Sequence, residues 1–67
     1  MELFEACQTY FSDGGNDAVQ TIEVLDKVDT DTVNVRVSFN DETVSDWKLT
    51  LDEDGTVLDG YCYNDVI

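Results

Sequence analysis

From Val33 to Phe39, and again from Asp46 to Leu51, apolar and polar residues alternate without a break. Val33, Val35, Val37 and Phe39 interleave with Asn34, Arg36 and Ser38; Trp47, Leu49 and Leu51 interleave with Asp46, Lys48 and Thr50. A period of two places each apolar set on one face of a strand. The intervening Asn40-Asp41-Glu42 is short and polar, as a hairpin connection should be. Pairing the two runs about it sets Val35 opposite Trp47 and Val33 opposite Leu49 on one face. The same register sets Arg36 opposite Asp46 on the other face, an opposite-charge cross-strand pair.

The flanking segments extend this hairpin into a sheet. Ile22 and Val24 open an earlier strand that ends near Val28, and Asp29-Thr30-Asp31 turns the chain back. Asp52-Glu53-Asp54-Gly55 reads as a type I turn with glycine in the left-handed region, leading into a strand from Val57 to Tyr63. Two registers compete there. A three-residue loop sets Leu51 against Val57 and Trp47 against Tyr61, and leaves Asp59 facing inward beside Leu49. A loop longer by one turns Leu58 and Cys62 inward instead, and a bulge near Asp59-Gly60 would reconcile the two. Ahead of the strands, Leu3, Phe4, Cys7, Tyr10 and Phe11 fall at helical spacing. Glu2 and Glu5 stand where the helix dipole favours negative charge, and Asp13-Gly14-Gly15-Asn16 supplies a C-terminal stop.

The expected fold is therefore α+β: one N-terminal helix packed on a four-stranded antiparallel β-meander, as a single domain over residues 1–67. Its expected core is Leu3, Phe4, Cys7, Tyr10, Phe11, Ile22, Val24, Val33, Val35, Val37, Phe39, Trp47, Leu49, Leu51 and Tyr61. With 67 residues the chain is short, and such chains bury only about 60% of the surface they expose when unfolded. Yet 42% hydrophobic content, with three Phe, three Tyr and one Trp, sets it apart from a disordered acidic tail.

No apolar run approaches the roughly 18 residues of a membrane span, and the acidic N-terminus does not resemble a secretory signal. The expectation is a cytoplasmic protein. Cys7 and Cys62 then read as free thiols, and no histidine accompanies them. No cofactor, metal or catalytic residue is expected. Asp52-Glu53-Asp54-Gly55 and Asp29-Thr30-Asp31 lack the alternate ligand spacing and distal Glu of a calcium loop. The turn acids have no cleft to raise a carboxyl pKa for acid–base work. Asp59 alone has an argument for burial, and exposure at a strand edge is the preferred reading. Tyr63 is left open between core and partner contact.

Charge is the compositional outlier. Sixteen acids against three bases (Lys27, Arg36, Lys48) give a net charge of −13. A meander sends alternate loops to opposite ends. One end gathers Asp26, Asp29, Asp31, Asp52, Glu53 and Asp54; the other gathers Asp13, Asp17, Asp41, Glu42 and Asp65. All three bases fall in strands. A compact chain of this length spans roughly 28 Å, over which duplex DNA carries about 16 charges. A basic groove built for phosphates would attract such a domain.

Two resemblances follow. The stretch Thr21 to Tyr63, with Trp47-Lys48-Leu49-Thr50-Leu51 before a glycine turn, resembles the C-terminal sheet of cystatin-like and nuclear-transport-factor-like α+β domains, without their long helix. In size and acidity the whole chain resembles small phage-encoded inhibitors of the anti-CRISPR and DNA-mimic type. That likeness implies a non-enzymatic inhibitor bound to the basic nucleic-acid-binding surface of a protein or ribonucleoprotein, in a host cytoplasm. It implies no direct contact with nucleic acid or membrane, and it carries no motif that assigns residue roles. Two alternatives stand beside it. One is a protein-binding adaptor using the open sheet face (Arg36, Asp46, Lys48) or an edge strand with Tyr63, as monomer or homodimer. The other is a domain made acidic by adaptation to salt.

Overall fold

The computed structural model describes residues 2–12 and 19–67. Helix α1 (Leu3–Ser12) is followed by strands β1 (Val19–Lys27), β2 (Thr32–Phe39), β3 (Val44–Leu51) and β4 (Val57–Asp65). The strands form one antiparallel sheet in the order β1-β2-β3-β4, with α1 against one face. This is the expected α+β meander. The expected helix stop at residues 13–16 lies outside the described residues. Among the described residues no helix is long and apolar enough to cross a membrane.

The central hairpin has the register that its alternation dictates. Val33 faces Leu49, Val35 faces Trp47, and Arg36 faces Asp46. Each inner position of β2 is buried and each outer one half-buried. Val35, Val37, Leu49 and Cys7 are fully enclosed. Phe11 joins the helix to this floor: its ring meets Phe39 at 5.2 Å and Trp47 at 4.9 Å, both edge to face. Such contacts add to the burial of apolar area. The indole N–H of Trp47 is not wasted, since it donates to the buried Ser45 hydroxyl at 2.7 Å.

Ala6, Val19 and Val57 join the core beyond the expected set, whereas Val24 and Tyr61 leave it. β1 starts earlier than Ile22 because Val19, opposite Phe39, is itself buried. Val24 pairs with Val35 yet is 51% exposed. A ten-residue helix is about 15 Å long and cannot cover a nine-residue edge strand of about 30 Å.

The register of β4 is settled by a bulge, one residue earlier than expected. Leu51 pairs with Val57 and Thr50 with Asp59, so Leu58 is the extra residue. Gly60 then lies opposite Leu49 on the inner face, while Asp59 and Tyr61 lie opposite Thr50 and Lys48 on the outer one. Tyr61 is accordingly 67% exposed, not core. Glycine suits the inward position: a Cβ there would stand 3.1 Å from both Leu49 Cδ2 and Tyr10 Cε2. A second irregularity near Tyr63 lets Cys62 face Trp47 and Asn64 face Asp46. β1 is interrupted likewise, at Gln20 and Leu25. Both edges are thus broken twice, a recognised defence against edge-to-edge association.

The hairpins Phe39-Asn40-Asp41-Glu42-Thr43 and Asp52-Glu53-Asp54-Gly55-Thr56 are built alike. In each, the first amide donates to the fifth carbonyl (2.9 and 2.7 Å) and the fourth amide to the first carbonyl (3.1 and 3.0 Å). In each, the third-position Asp accepts from the Thr hydroxyl, at 2.6 Å in Asp41 and 3.1 Å in Asp54. The fourth residue takes a left-handed φ, 90° at Gly55 and 73° at Glu42. Glutamate there bears a Cβ clash of about 1–2 kcal/mol that glycine escapes.

Two stability measurements check this account. Phe11→Ala should cost about 3–5 kcal/mol in denaturant unfolding, most of what a domain this size has to lose. Glu42→Gly should raise stability by about 0.5–1 kcal/mol, because relieved strain outweighs the added unfolded-state entropy. A loss on Glu42→Gly would contradict the shared-turn account.

Candidate binding surface

The meander brings the β1–β2 and β3–β4 loops to one end, and a hydrogen bond fastens the first of them to the end of β3: the Leu51 amide donates to the Asp31 carbonyl at 2.7 Å. Asp29, Asp31, Asp52, Glu53 and Asp54 therefore share that end, as expected. Asp26 lies within β1, opposite Asn34, one step back from the loop. Several acids fold their own turns. Asp29 accepts from the Thr30 amide at 2.8 Å, Asp31 from the Thr32 hydroxyl at 3.0 Å, and Asp52 from the Glu53 amide at 2.7 Å. Each uses Oδ1, so Asp29, Asp31 and Asp52 keep a second oxygen for an outside donor. Lys27 ends β1 nearby, and the Arg36–Asp46 ion pair lies elsewhere, on the open sheet face.

Between the two loops lies an open concavity of about 490 Å³, lined by Thr30, Asp31, Leu51, Asp52, Glu53 and Leu58. Leu51 is half-buried and Leu58 is 60% exposed. Among the described residues no three Cys, Asp or Glu side chains are placed to hold a metal ion. The carboxylates here rim an opening without converging on a point.

The opposite end is less uniform. Asp41 and Glu42 occupy the β2–β3 turn, and Asp65 ends β4 opposite Ser45. Asp41 is held below the usual carboxylate range by the hydroxyl and amide of Thr43. Asp65 accepts weakly from the Cys62 thiol at 3.6 Å. The amides of Val66 and Ile67 donate to Val44 and fasten the terminus there. Asp13 and Asp17, the remaining members of this cluster, lie outside the described residues.

The open sheet face carries the Arg36–Asp46 pair. Arg36 Nε donates to Asp46 Oδ1 at 2.8 Å and Nη2 to Oδ2 at 3.2 Å, while Asn64 Nδ2 donates to Oδ2 at 3.0 Å. The Asp46 side chain is only 6% exposed and Arg36 is 40% exposed. Asp46 is held below the ordinary range by the hydrogen bonds from Arg36 and then Asn64. Arg36 is raised by the same bond, with smaller help from Glu23 and Tyr63. The expected pair is thus present, and Asn64 is a third member that alternation could not reveal, because a bulge carries it there. Lys48 and the exposed Tyr61 lie beside this network. Asn34 Oδ1 is buried with no donor among the described residues, and nothing in the structure explains it. Cys7 and Cys62 are both free. Burial pushes the Cys7 thiol up to about 11, which keeps it protonated and unreactive.

Fold and surface together define a class: a small α+β domain whose acidic loops are gathered at the ends of a single antiparallel meander. Comparison with known proteins matches no family model, no curated protein and no solved structure. The functional reading therefore rests on the residues themselves.

The Asp46 shift gives a pH test. Its folded-state pKa lies below the unfolded value of about 3.9. Its contribution is present above that value and lost as pH falls through the folded-state pKa. Wild type should therefore exceed Asp46→Asn in urea midpoint at pH 7, and the gap should close towards pH 2. A gap that stays constant would show that the ion pair is not its source.

Proposed function

We propose that the chain is a non-enzymatic binding protein whose acidic loop end occupies the basic, nucleic-acid-binding surface of a partner protein or ribonucleoprotein, as an inhibitor of the anti-CRISPR or DNA-mimic type would. The observation that carries this reading is the gathering of two acidic loops at one end of the meander, the first of them fastened to the end of β3 by the Leu51–Asp31 bond. Asp29, Asp31, Asp52 and Glu53 form no ion pair with any described residue, so their charge is available to an outside cation. Fixed carboxylates at one end steer a positively charged surface and set its orientation on contact.

The exposed Tyr61 and Tyr63 favour a second reading, a protein-binding module that uses the open sheet face. Amphipathic rings on a surface are common anchors of protein contacts. The two readings differ in salt response. A contact made by end carboxylates weakens steeply as ionic strength rises, while one made by buried rings does not.

The test is affinity capture at about 0.15 M salt, with duplex DNA as competitor, for three charge or ring variants. Combined Asp29→Lys, Asp52→Lys and Glu53→Lys should abolish capture of a DNA-displaceable partner. Glu42→Lys with Asp65→Lys should leave most of it. Retained capture after the first set would remove the acidic-end reading, and loss on Tyr61→Ala with Tyr63→Ala would favour the sheet face.

A further inference from the structure

We infer that the concavity between the β1–β2 and β3–β4 loops receives an arginine or lysine side chain of the partner, arginine by preference. This deepens the acidic-end reading and rests on it. The opening is more than a group of acids. Its lining combines two apolar residues, Leu51 and Leu58, with three acidic ones, Asp31, Asp52 and Glu53. The bulge is what makes Leu58 available: as the residue left over between the Leu51–Val57 and Thr50–Asp59 pairs, it is 60% exposed at the mouth.

An apolar wall beside a carboxylate rim matches one ligand chemistry. Arginine and lysine lay their aliphatic stems along apolar surface and project the charged head beyond it. The rim then supplies charge-assisted acceptors, and a planar guanidinium can bridge oxygens set apart on two loops. A compact metal cation fits less well. It needs several ligands converging at 2.0–2.6 Å, and the described residues offer no such group. A neutral apolar ligand would desolvate the rim carboxylates with nothing to pair them. The Leu51–Asp31 bond holds the two walls at fixed spacing, so the site is formed before the ligand arrives.

The experiment is an amide-resonance titration of the ¹⁵N-labelled full chain with a hexa-arginine peptide, with magnesium at matched ionic strength as the control cation. Peptide-induced shifts should concentrate on Thr30, Asp31, Leu51, Asp52, Glu53 and Leu58, and magnesium should not reproduce the pattern. Leu58→Ser keeps the charge and alters an exposed side chain. It should weaken the peptide about fivefold, the worth of roughly 40 Å² of apolar contact. The triple Asp31→Asn, Asp52→Asn, Glu53→Gln variant should weaken it more than tenfold. Unchanged affinity in Leu58→Ser, or shifts equally strong at Asp41 and Glu42, would overturn the side-chain site. The acidic-end reading would survive that result if the triple variant still loses binding, and would fall with it if the triple variant binds like wild type.

Discussion

Phe11 makes the contact on which the rest of the molecule depends. Among the described elements α1 alone covers the inner face of the sheet, and Phe11 is where it meets both central strands, through Phe39 on β2 and Trp47 on β3. Without that lid, Val33, Val35, Val37 and Leu49 would face water, and a four-stranded sheet with one open apolar face has no reason to stay folded alone. The close approach has requirements on both sides. The helix presents Ala6 and Cys7, small side chains that are almost fully enclosed. β4 presents Gly60, where the Tyr10 ring takes the space of a side chain. The core is thin, so each of these choices counts for more than it would in a larger domain.

Self-repulsion of the net charge of −13 adds to the entropy cost that opposes this compact state, and the topology separates that charge. The molecule extends 30 Å along its longest axis against 21 and 16 Å across, matching a nine-residue strand of about 30 Å. Acidic loops at opposite ends of such strands lie more than three Debye lengths apart at physiological salt, about 8 Å each. The two ends therefore hardly repel one another, and what remains is repulsion within each end. There the turns reuse their own acids as acceptors for Thr hydroxyls and backbone amides. The likeness to DNA in charge per length is thus a likeness of total charge. Its distribution is that of two separate anionic heads joined by a nearly neutral sheet.

The legible part of the fold was the part governed by period. Two alternating runs around a three-residue turn determined the β2–β3 register, including the Arg36–Asp46 pair, and helical spacing determined α1 to within a residue. Meander connectivity placed the acidic loops at shared ends. What alternation could not convey was any departure from alternation. The bulge at Leu58 reverses the facing of the residues beyond it, so Tyr61 lies on the surface and not in the expected core; the one at Tyr63 restores the facing, and the two together shift the register by two residues, which brings Asn64 opposite Asp46. Asp59 and Gly60 offered a signal, since a carboxylate and a glycine in mid-strand both argue against regular pairing. They did not say which residue would be left over. Val24 departs from expectation for another reason: it pairs with the inward-facing Val35, but the helix is too short to cover it.

Those irregularities connect the fold to the surface. A regular β4 would alternate, and one residue in two would be hidden. With two extra residues, Leu58 and Tyr63 are exposed along with Tyr61, and the edge no longer offers a straight row of free amides to another strand. The same distortion that discourages indiscriminate strand pairing thus enriches β4 in exposed apolar and aromatic side chains. One of them, Leu58, falls beside the acidic loops, where a cation's hydrocarbon stem has something to lie against. Specific recognition by an acidic protein needs such a feature, because charge alone attracts every basic surface and discriminates poorly among them.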